Sequence, residues 1–213
     1  MTLGDSGLSI LEHVYQRLNV SKYIEKVVFA IPDSEMNNPL ADYMDSKGIE
    51  YIRGSEDDVL DRFYKCAIKY NPTVVVRATC DNPLVSWEIA DKLCEFLDRN
   101  VYVSAKEIPL GTGVEVFTMA SLQEAFEKSS TEVQHEHVTP YIYQNYEAAT
   151  VKFGMPDYRL TVDEERDLYV INELYKILYK GTPIPISTVI DYLNDHQELA
   201  DYNRDVHQKK LGE

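Results

Sequence analysis

Two aspartates stand where an apolar strand gives way to a polar turn. In Val74–Glu88, VVVRATCDNPLVSWE, an apolar run leads into the acidic, proline-bounded turn that holds Asp81; in Arg159–Asp167, RLTVDEERD, a second run ends on Asp163. Ligands of α/β proteins sit at the carboxyl ends of strands, so acids delivered there are better placed for chemistry than most of the chain's 36. Hard divalent cations take carboxylate oxygens, and two convergent aspartates suit the magnesium of phosphoryl chemistry. Each also has a purely structural reading. Asp81-Asn82-Pro83 is ordinary turn chemistry, and Asp163 is a natural N-cap for the helix that follows.

Other groups add to this pair. In RGSEDDVLDRF, Gly54 and Ser55 join a strand end to a helix start, where free backbone N–H groups and a hydroxyl could grip a base or ribose. Ser55 reads equally as an N-cap, with Glu56, Asp57 and Asp58 as dipole-favoured acids of the first turn. In GTGVEVF, Glu115 lies among apolar strand neighbours, so it either meets a partner such as a sugar hydroxyl or faces water. His135-Glu136-His137 suggests a metal at first sight. Residues two apart on a helix do not share a face, however, and no third ligand is spaced to help, so zinc is not expected. Ser129-x-x-Glu132 predicts the capping box of the helix that carries them.

The elements that must position these residues follow from periodicity. Leu8, Leu11, Val14, Tyr15 and Leu18 recur at helical spacing, and Lys26–Ile31 is a continuous apolar strand of the doubly buried kind. The alternation continues with helix Pro39–Ser46, strand Glu50–Ile52, helix Glu56–Tyr70, strand Thr73–Ala78, helix Trp87–Leu97 and strand Val101–Ser104, which implies a parallel sheet with right-handed crossovers. The second half reads as strand Val114–Thr118, helices Ala120–Lys128 and Val133–Glu147, strands Thr150–Phe153 and Arg159–Val162, and helices Glu164–Tyr179 and Ser187–Leu193. A polar tail, Asp201–Glu213, is expected to fray.

Composition sets the outer limits. At 213 residues and 44% hydrophobic, with no repeat or low-complexity linker, the chain is expected to be one domain, 1–213. A formal charge of −15 argues against nucleic acid or an anionic membrane surface as partner, while a nucleotide with its magnesium remains compatible. Cys66, Cys80 and Cys94 are odd in number and lack metal-type spacing, which fits a reducing compartment. No stretch reaches the roughly 18 apolar residues of a membrane span, and the start has no secretory pattern, so a cytoplasmic protein is expected. Nine of the sixteen tyrosines fall from Tyr141 onward, some suited to the core and some to a homodimer interface.

Taken in order, RGSEDDVLDRF, VVVRATCDNPLV, GTGVEVF, EHVTPYIY and RLTVDEERDL resemble the cytidylyltransferase-like family of spore-coat polysaccharide biosynthesis proteins, relatives of the acylneuraminate and CMP-KDO cytidylyltransferases. The resemblance runs from about Ser9 to Leu178. It implies a nucleotide-diphospho-sugar transferase fold, a Rossmann-like α/β mixed sheet with helices on both faces. It also implies attack of a sugar hydroxyl or sugar phosphate on the α-phosphate of CTP, with Mg2+ holding the triphosphate and pyrophosphate leaving. Carried over by position, Asp81 and Asp163 match the metal-binding and catalytic aspartates, and Gly54, Ser55 and Arg77 fall on the nucleotide side. Glu115, Glu136 and His137 fall on the sugar side.

One departure stands out. Family members open on a strand and a basic Gly-rich loop of the form ARMGSTRLPGK, where this sequence has MTLGDSGLS before its first helix. A missing N-terminal strand, a gap in the sheet and little or no transferase activity are therefore expected. A non-catalytic homologue binding a sugar or partner protein is the alternative. A glycosyltransferase of the related fold ranks third, because its usual D-x-D triplet does not occur here.

Overall fold

A computed structural model of the chain describes residues 1–97 and 100–208. The first helix, α1 (Ile10–Leu18), is set by a capping box in which Ser9 accepts from the Glu12 backbone and Glu12 reaches back. Two short strands follow, β1 (Phe29–Pro32) and β2 (Tyr51–Gly54), separated by α2 (Asn38–Lys47). They pair in parallel, Phe29 with Tyr51 through Pro32 with Gly54. Next come α3 (Val59–Tyr70), β3 (Val74–Arg77), α4 (Trp87–Leu97), β4 (Tyr102–Lys106) and β5 (Glu115–Thr118). The chain continues through α5 (Met119–Lys128), α6 (Glu132–His137), α7 (Pro140–Asn145) and β6 (Ala148–Lys152). It closes with α8 (Glu165–Leu178), α9 (Ile186–Asp195) and α10 (Gln197–Ala200).

The expected parallel sheet is replaced by two sheets. β1 and β2 stand apart from a second sheet ordered β3-β5-β4-β6. β5 lies antiparallel between β3 and β4, and only β4 and β6 within that sheet run parallel. The alternation of strand and helix is real, but β5 follows β4 without an intervening helix, so it pairs antiparallel with β4 and separates it from β3. Among the described residues β1 pairs only with β2 and β3 only with β5, which leaves one edge of each unpaired.

Other boundaries move for local reasons. The helix expected over Val133–Glu147 is two helices, broken at Val138, which takes φ 69° while wholly buried. Pro140 then opens α7, where its missing N–H costs nothing. Thr131 with Gln134, not Ser129 with Glu132, forms the capping box of α6. The N-cap of α3 is Asp58, which accepts from Asp61 N, so Ser55 to Asp57 precede the helix. Glu164, not Asp163, caps α8. Strand Arg159–Val162 reduces to a single bridge between Leu110 and Arg159.

The tail is held more firmly than expected. Asn203 is buried, and its Nδ2 donates to Arg159 O at 3.1 Å and Asp167 Oδ1 at 2.8 Å. The last part of that expectation, 209–213, lies outside the described residues.

Candidate active site

The turn after β3 is fastened from several directions. Thr79 Oγ1 donates to Asp81 Oδ1 and accepts from Asn82 Nδ2 at 2.8 Å. The Asp81 carbonyl accepts from Val162 N at 2.8 Å, and Ser86 N donates to Thr112 O at 2.8 Å. Tyr175, buried in α8, donates its hydroxyl to Pro83 O at 2.6 Å. Arg17 of α1 is buried beside Trp87 and donates Nε to Val85 O at 2.6 Å, Nη2 to Leu84 O at 3.4 Å and Nη1 to Ile184 O at 2.7 Å. Burial lowers its pKa from the ordinary arginine value, against the opposing pull of Tyr175 and Glu88. Asp81 is thus presented on a loop whose backbone is tied to α1, α8 and the segment before Asp163.

Asp163 is steered by a second network. Arg159 grips Asp167 with Nε at 2.8 Å and Nη2 at 2.9 Å, and the same Nη2 reaches Asp163 Oδ2 at 2.7 Å. The N–H groups of Asp163 and Glu164 both donate to Asp167 Oδ2 at 3.1 Å. Burial alone would raise the Asp167 pKa, but the bonds from Arg159, Asn203 and these two amides override it and lower it. Arg159 and Asp167 position Asp163, whose carboxylate stays partly exposed.

A pocket of about 320 Å³ opens beside the Asp81 turn, lined by Arg77, Thr79, Asn82, Ser104 and Glu115 among others. Arg77 and Glu115 are direct cross-strand partners on β3 and β5, and Arg77 Nη1 donates to Glu115 Oε2 at 2.7 Å. Glu115 Oε1 accepts from Tyr102 at 2.5 Å and from Thr139 Oγ1 at 2.7 Å. The GTG loop closes this side by close approach: a Cβ on Gly111, at φ 88°, would stand 2.4 Å from Thr161 N.

The remaining expected residues sit elsewhere. Gly54 ends β2 and Ser55 follows it, and their backbone is largely committed: Asp33 N donates to Gly54 O at 2.7 Å, and Ser55 N donates to Asp61 Oδ2 at 3.4 Å. The Ser55 hydroxyl accepts from Asp58 N at 3.1 Å. His137 and Glu136 end α6 with Nε2 and Oε2 3.7 Å apart, next to Val138 and Thr139. His135 pairs through Nδ1 with Asp58 Oδ2 at 2.8 Å and so latches α6 to the start of α3. Arg77 is therefore brought to Glu115, not to Gly54 and Ser55.

Asp81 and Asp163 each keep the oxygen donor that a hard divalent cation takes. Thr79 occupies Asp81 Oδ1 and Arg159 occupies Asp163 Oδ2, which leaves one oxygen of each carboxylate without a hydrogen bond to a described residue. Magnesium commonly uses one or two carboxylates plus substrate phosphates and water. No group of three His, Cys, Asp or Glu side chains gathers for a metal among the described residues.

The sequence profile of the cytidylyltransferase family matches residues 6–210. The chain belongs to the cytidylyltransferase family. The chain is 33% identical to the spore coat polysaccharide biosynthesis protein SpsF of Bacillus subtilis, over 91% of the chain and 85% of that protein. Its fold is that of a cytidylyltransferase from Leptospira borgpetersenii, with TM-score 0.87 at 22% identity, covering 98% of this chain and 91% of the other. It also resembles CMP:2-keto-3-deoxy-manno-octonic acid synthetase, solved with CTP, with TM-score 0.61 at 13% identity over 82% and 89% of the two chains. The mixed α/β architecture is accordingly the nucleotide-diphospho-sugar transferase fold.

Several residues around the site have no counterpart in the sequence pattern. Tyr102 and Thr139 reach Glu115 from a neighbouring strand and from a turn 24 residues downstream, which no local pattern reveals. Arg159 and Asp167 had a readable signal, since both lie within the same RLTVDEERD stretch as Asp163.

Proposed function

We propose that the chain binds CTP with Mg2+ at the Asp81 turn and transfers CMP to a hydroxyl or phosphate of a sugar used in a cell-surface polysaccharide, releasing pyrophosphate. The observation that carries this reading is the 2.8 Å bond from Val162 N to Asp81 O, which ties the two aspartate-bearing segments together beside the pocket. Family membership, the SpsF likeness and the CTP complex of a structural neighbour support it. No helix among the described residues is long and apolar enough to cross a membrane, and we place the reaction in the cytoplasm.

Asp81 and Asp163 hold the cation through the oxygens left by Thr79 and Arg159. A bound divalent cation neutralises triphosphate charge and polarises phosphoryl oxygens. Gly54 and Ser55 lie against the nucleoside, where the Ser55 hydroxyl keeps its proton to donate after accepting from Asp58 N. The pocket holds the acceptor, and Glu136 and His137, at the end of α6 before the turn that sends Thr139 to Glu115, are assigned to the sugar side by family resemblance. The acceptor oxygen bonds to the α-phosphorus as the bridge to the β-phosphate breaks, and a hydroxyl acceptor loses its proton to solvent or a nearby base.

Titration calorimetry of CTP with Mg2+, beside a pyrophosphate-release assay, tests the reading. CTP binds with Mg2+ and not with EDTA, and Asp81→Asn or Asp163→Asn weakens that binding about tenfold or more. Failure of CTP to bind at millimolar concentration overturns the proposal. Binding with no pyrophosphate release for any sugar acid or sugar phosphate favours the non-catalytic alternative.

A further inference from the structure

We infer that Asn203, in the segment that follows α10, is a positioning residue for Asp163, acting through Arg159 and Asp167. The role of Asp163 as a cation ligand rests on the function proposed above; the aiming of its side chain does not.

Asp163 does little to hold itself. Its side chain is 37% exposed, Glu164 caps α8 in its place, and the bond from Arg159 Nη2 at 2.7 Å sets its direction. That nitrogen is shared. It also donates to Asp167 Oδ2 at 2.9 Å, so the guanidinium, and Asp163 with it, follows the place of Asp167. Asp167 is wholly buried and receives five donors: Arg159 Nε and Nη2, the N–H groups of Asp163 and Glu164, and Asn203 Nδ2 at 2.8 Å. A carboxylate has about four lone-pair sites, so this one is saturated and has no freedom to turn.

Asn203 holds the arginine from its other end as well. Nδ2 also donates to Arg159 O at 3.1 Å, so one amide group pins both the main chain of Arg159 and the carboxylate that its guanidinium grips. Gln208 Oε1 accepts from Arg159 Nη1 at 2.6 Å, a second hold from the same segment. The segment itself docks on α8, the helix that Asp163 leads into: Arg166 Nε donates to Tyr202 O at 2.8 Å, and the rings of Tyr169 and Tyr202 lie 4.6 Å apart. Fastening of the tail alone would not call for an asparagine. Asn203 is 1% exposed, and its Oδ1 is buried with no donor among the described residues. An unmet buried acceptor costs stability that an apolar side chain of similar shape would keep. What the asparagine adds over such a side chain is the pair of donor contacts that reach the Asp163 network.

Two measurements test this on the full chain: amide hydrogen exchange without metal or nucleotide, and Mn2+ binding in the presence of CTP, read by electron paramagnetic resonance. In Asn203→Leu the amides of Asp163 and Glu164 exchange about tenfold or more faster, while those of residues 170–174 in the middle of α8 keep their protection. Mn2+ affinity falls about tenfold, as expected when a partner that orients a metal ligand is lost. Double-mutant cycles separate aiming from fastening. Because Asn203 acts through Asp163, the loss of affinity disappears in the Asp163→Asn background and persists in full in Asp81→Asn, whereas a general loosening of the fold adds in both. Asn203→Ser, with one donor for two acceptors, gives a smaller loss of the same pattern and decides the matter should the leucine variant not fold. Unchanged Mn2+ affinity in a folded Asn203 variant, or an equal further loss in the Asp163→Asn background, overturns the inference while the proposed function stands. Mn2+ that fails to bind the unaltered chain, or binds it without dependence on Asp163, defeats the proposed function instead, and exchange at Asp163 and Glu164 then decides the aiming by itself.

Discussion

His13 is 1% exposed, packed between the rings of Tyr175 and Tyr179, with Nε2 3.0 Å from Ser6 Oγ. Burial, and after it the charge of Arg17, push its pKa down to about 4 from the usual 6.5. The unfolded chain therefore binds a proton that the folded chain refuses throughout this interval, so stability is full above pH 6.5 and falls as pH drops toward 4. The loss amounts to about 3 kcal/mol when fully expressed. Glu12 beside it follows a different window. Burial works to raise its pKa, but bonds from Tyr43, Ser9 and Lys47 bring it to about 2, so its contribution is lost only below the usual 4.5. Urea denaturation between pH 4 and 7 should show the first slope, and His13→Gln should flatten it. An equal slope in the variant would assign the acid sensitivity to another group. Neither behaviour was legible in sequence, because His13 looks like an ordinary polar position until α8 covers it. Asp81 and Asp163 were legible, since an acid after an apolar strand is a local pattern.

Among the elements, α1 does more than open the chain. Its Arg17 spans three carbonyls, of Leu84, Val85 and Ile184, and so joins the Asp81 turn to the segment before α9. Arg17→Met relieves a buried charge but strands those carbonyls, and a net loss of about 3 kcal/mol is expected from chemical denaturation at pH 7. Arg17→Lys should not restore it, because an ammonium lacks the guanidinium fork. A loss below about 1 kcal/mol would mean that water replaces the arginine and that the turn is held by Tyr175 and Val162 alone. Helix and strand types were mostly readable from periodicity, while their partners were not. The break before α7 did carry a signal, since Pro140 lacks the N–H that a helix interior needs and suits a helix's first turn. The place of β5 between β3 and β4 depends on pairing across the sheet, which the order of elements along the chain leaves open.

At the scale of the whole molecule, the division into two sheets sets how stability is shared. The β1-β2 unit rests on a small cluster of Phe29, Ile31, Ala41, Met44 and Ile49, with Leu11 and Tyr15 of α1 packed against it. The larger sheet sits over a more extensive core that runs from Val14 and Ile89 to Val103 and Val116. β3 is a continuous apolar run, VVVR, yet none of its residues is buried and Val74 is 38% exposed, as follows from its unpaired edge. Strands with an open edge and a small core open locally at lower free energy than doubly paired ones. Amides of Phe29–Ile31 and Val74–Arg77 should therefore exchange about tenfold or more faster than those of β4 and β5, measured residue by residue at pH 7. CTP with Mg2+ should slow exchange at the Asp81 turn and at the end of β3 that leads into it. Uniform protection across both sheets would show that α3, which packs on β1, β2 and α5, couples them into one cooperative unit despite the missing ladder.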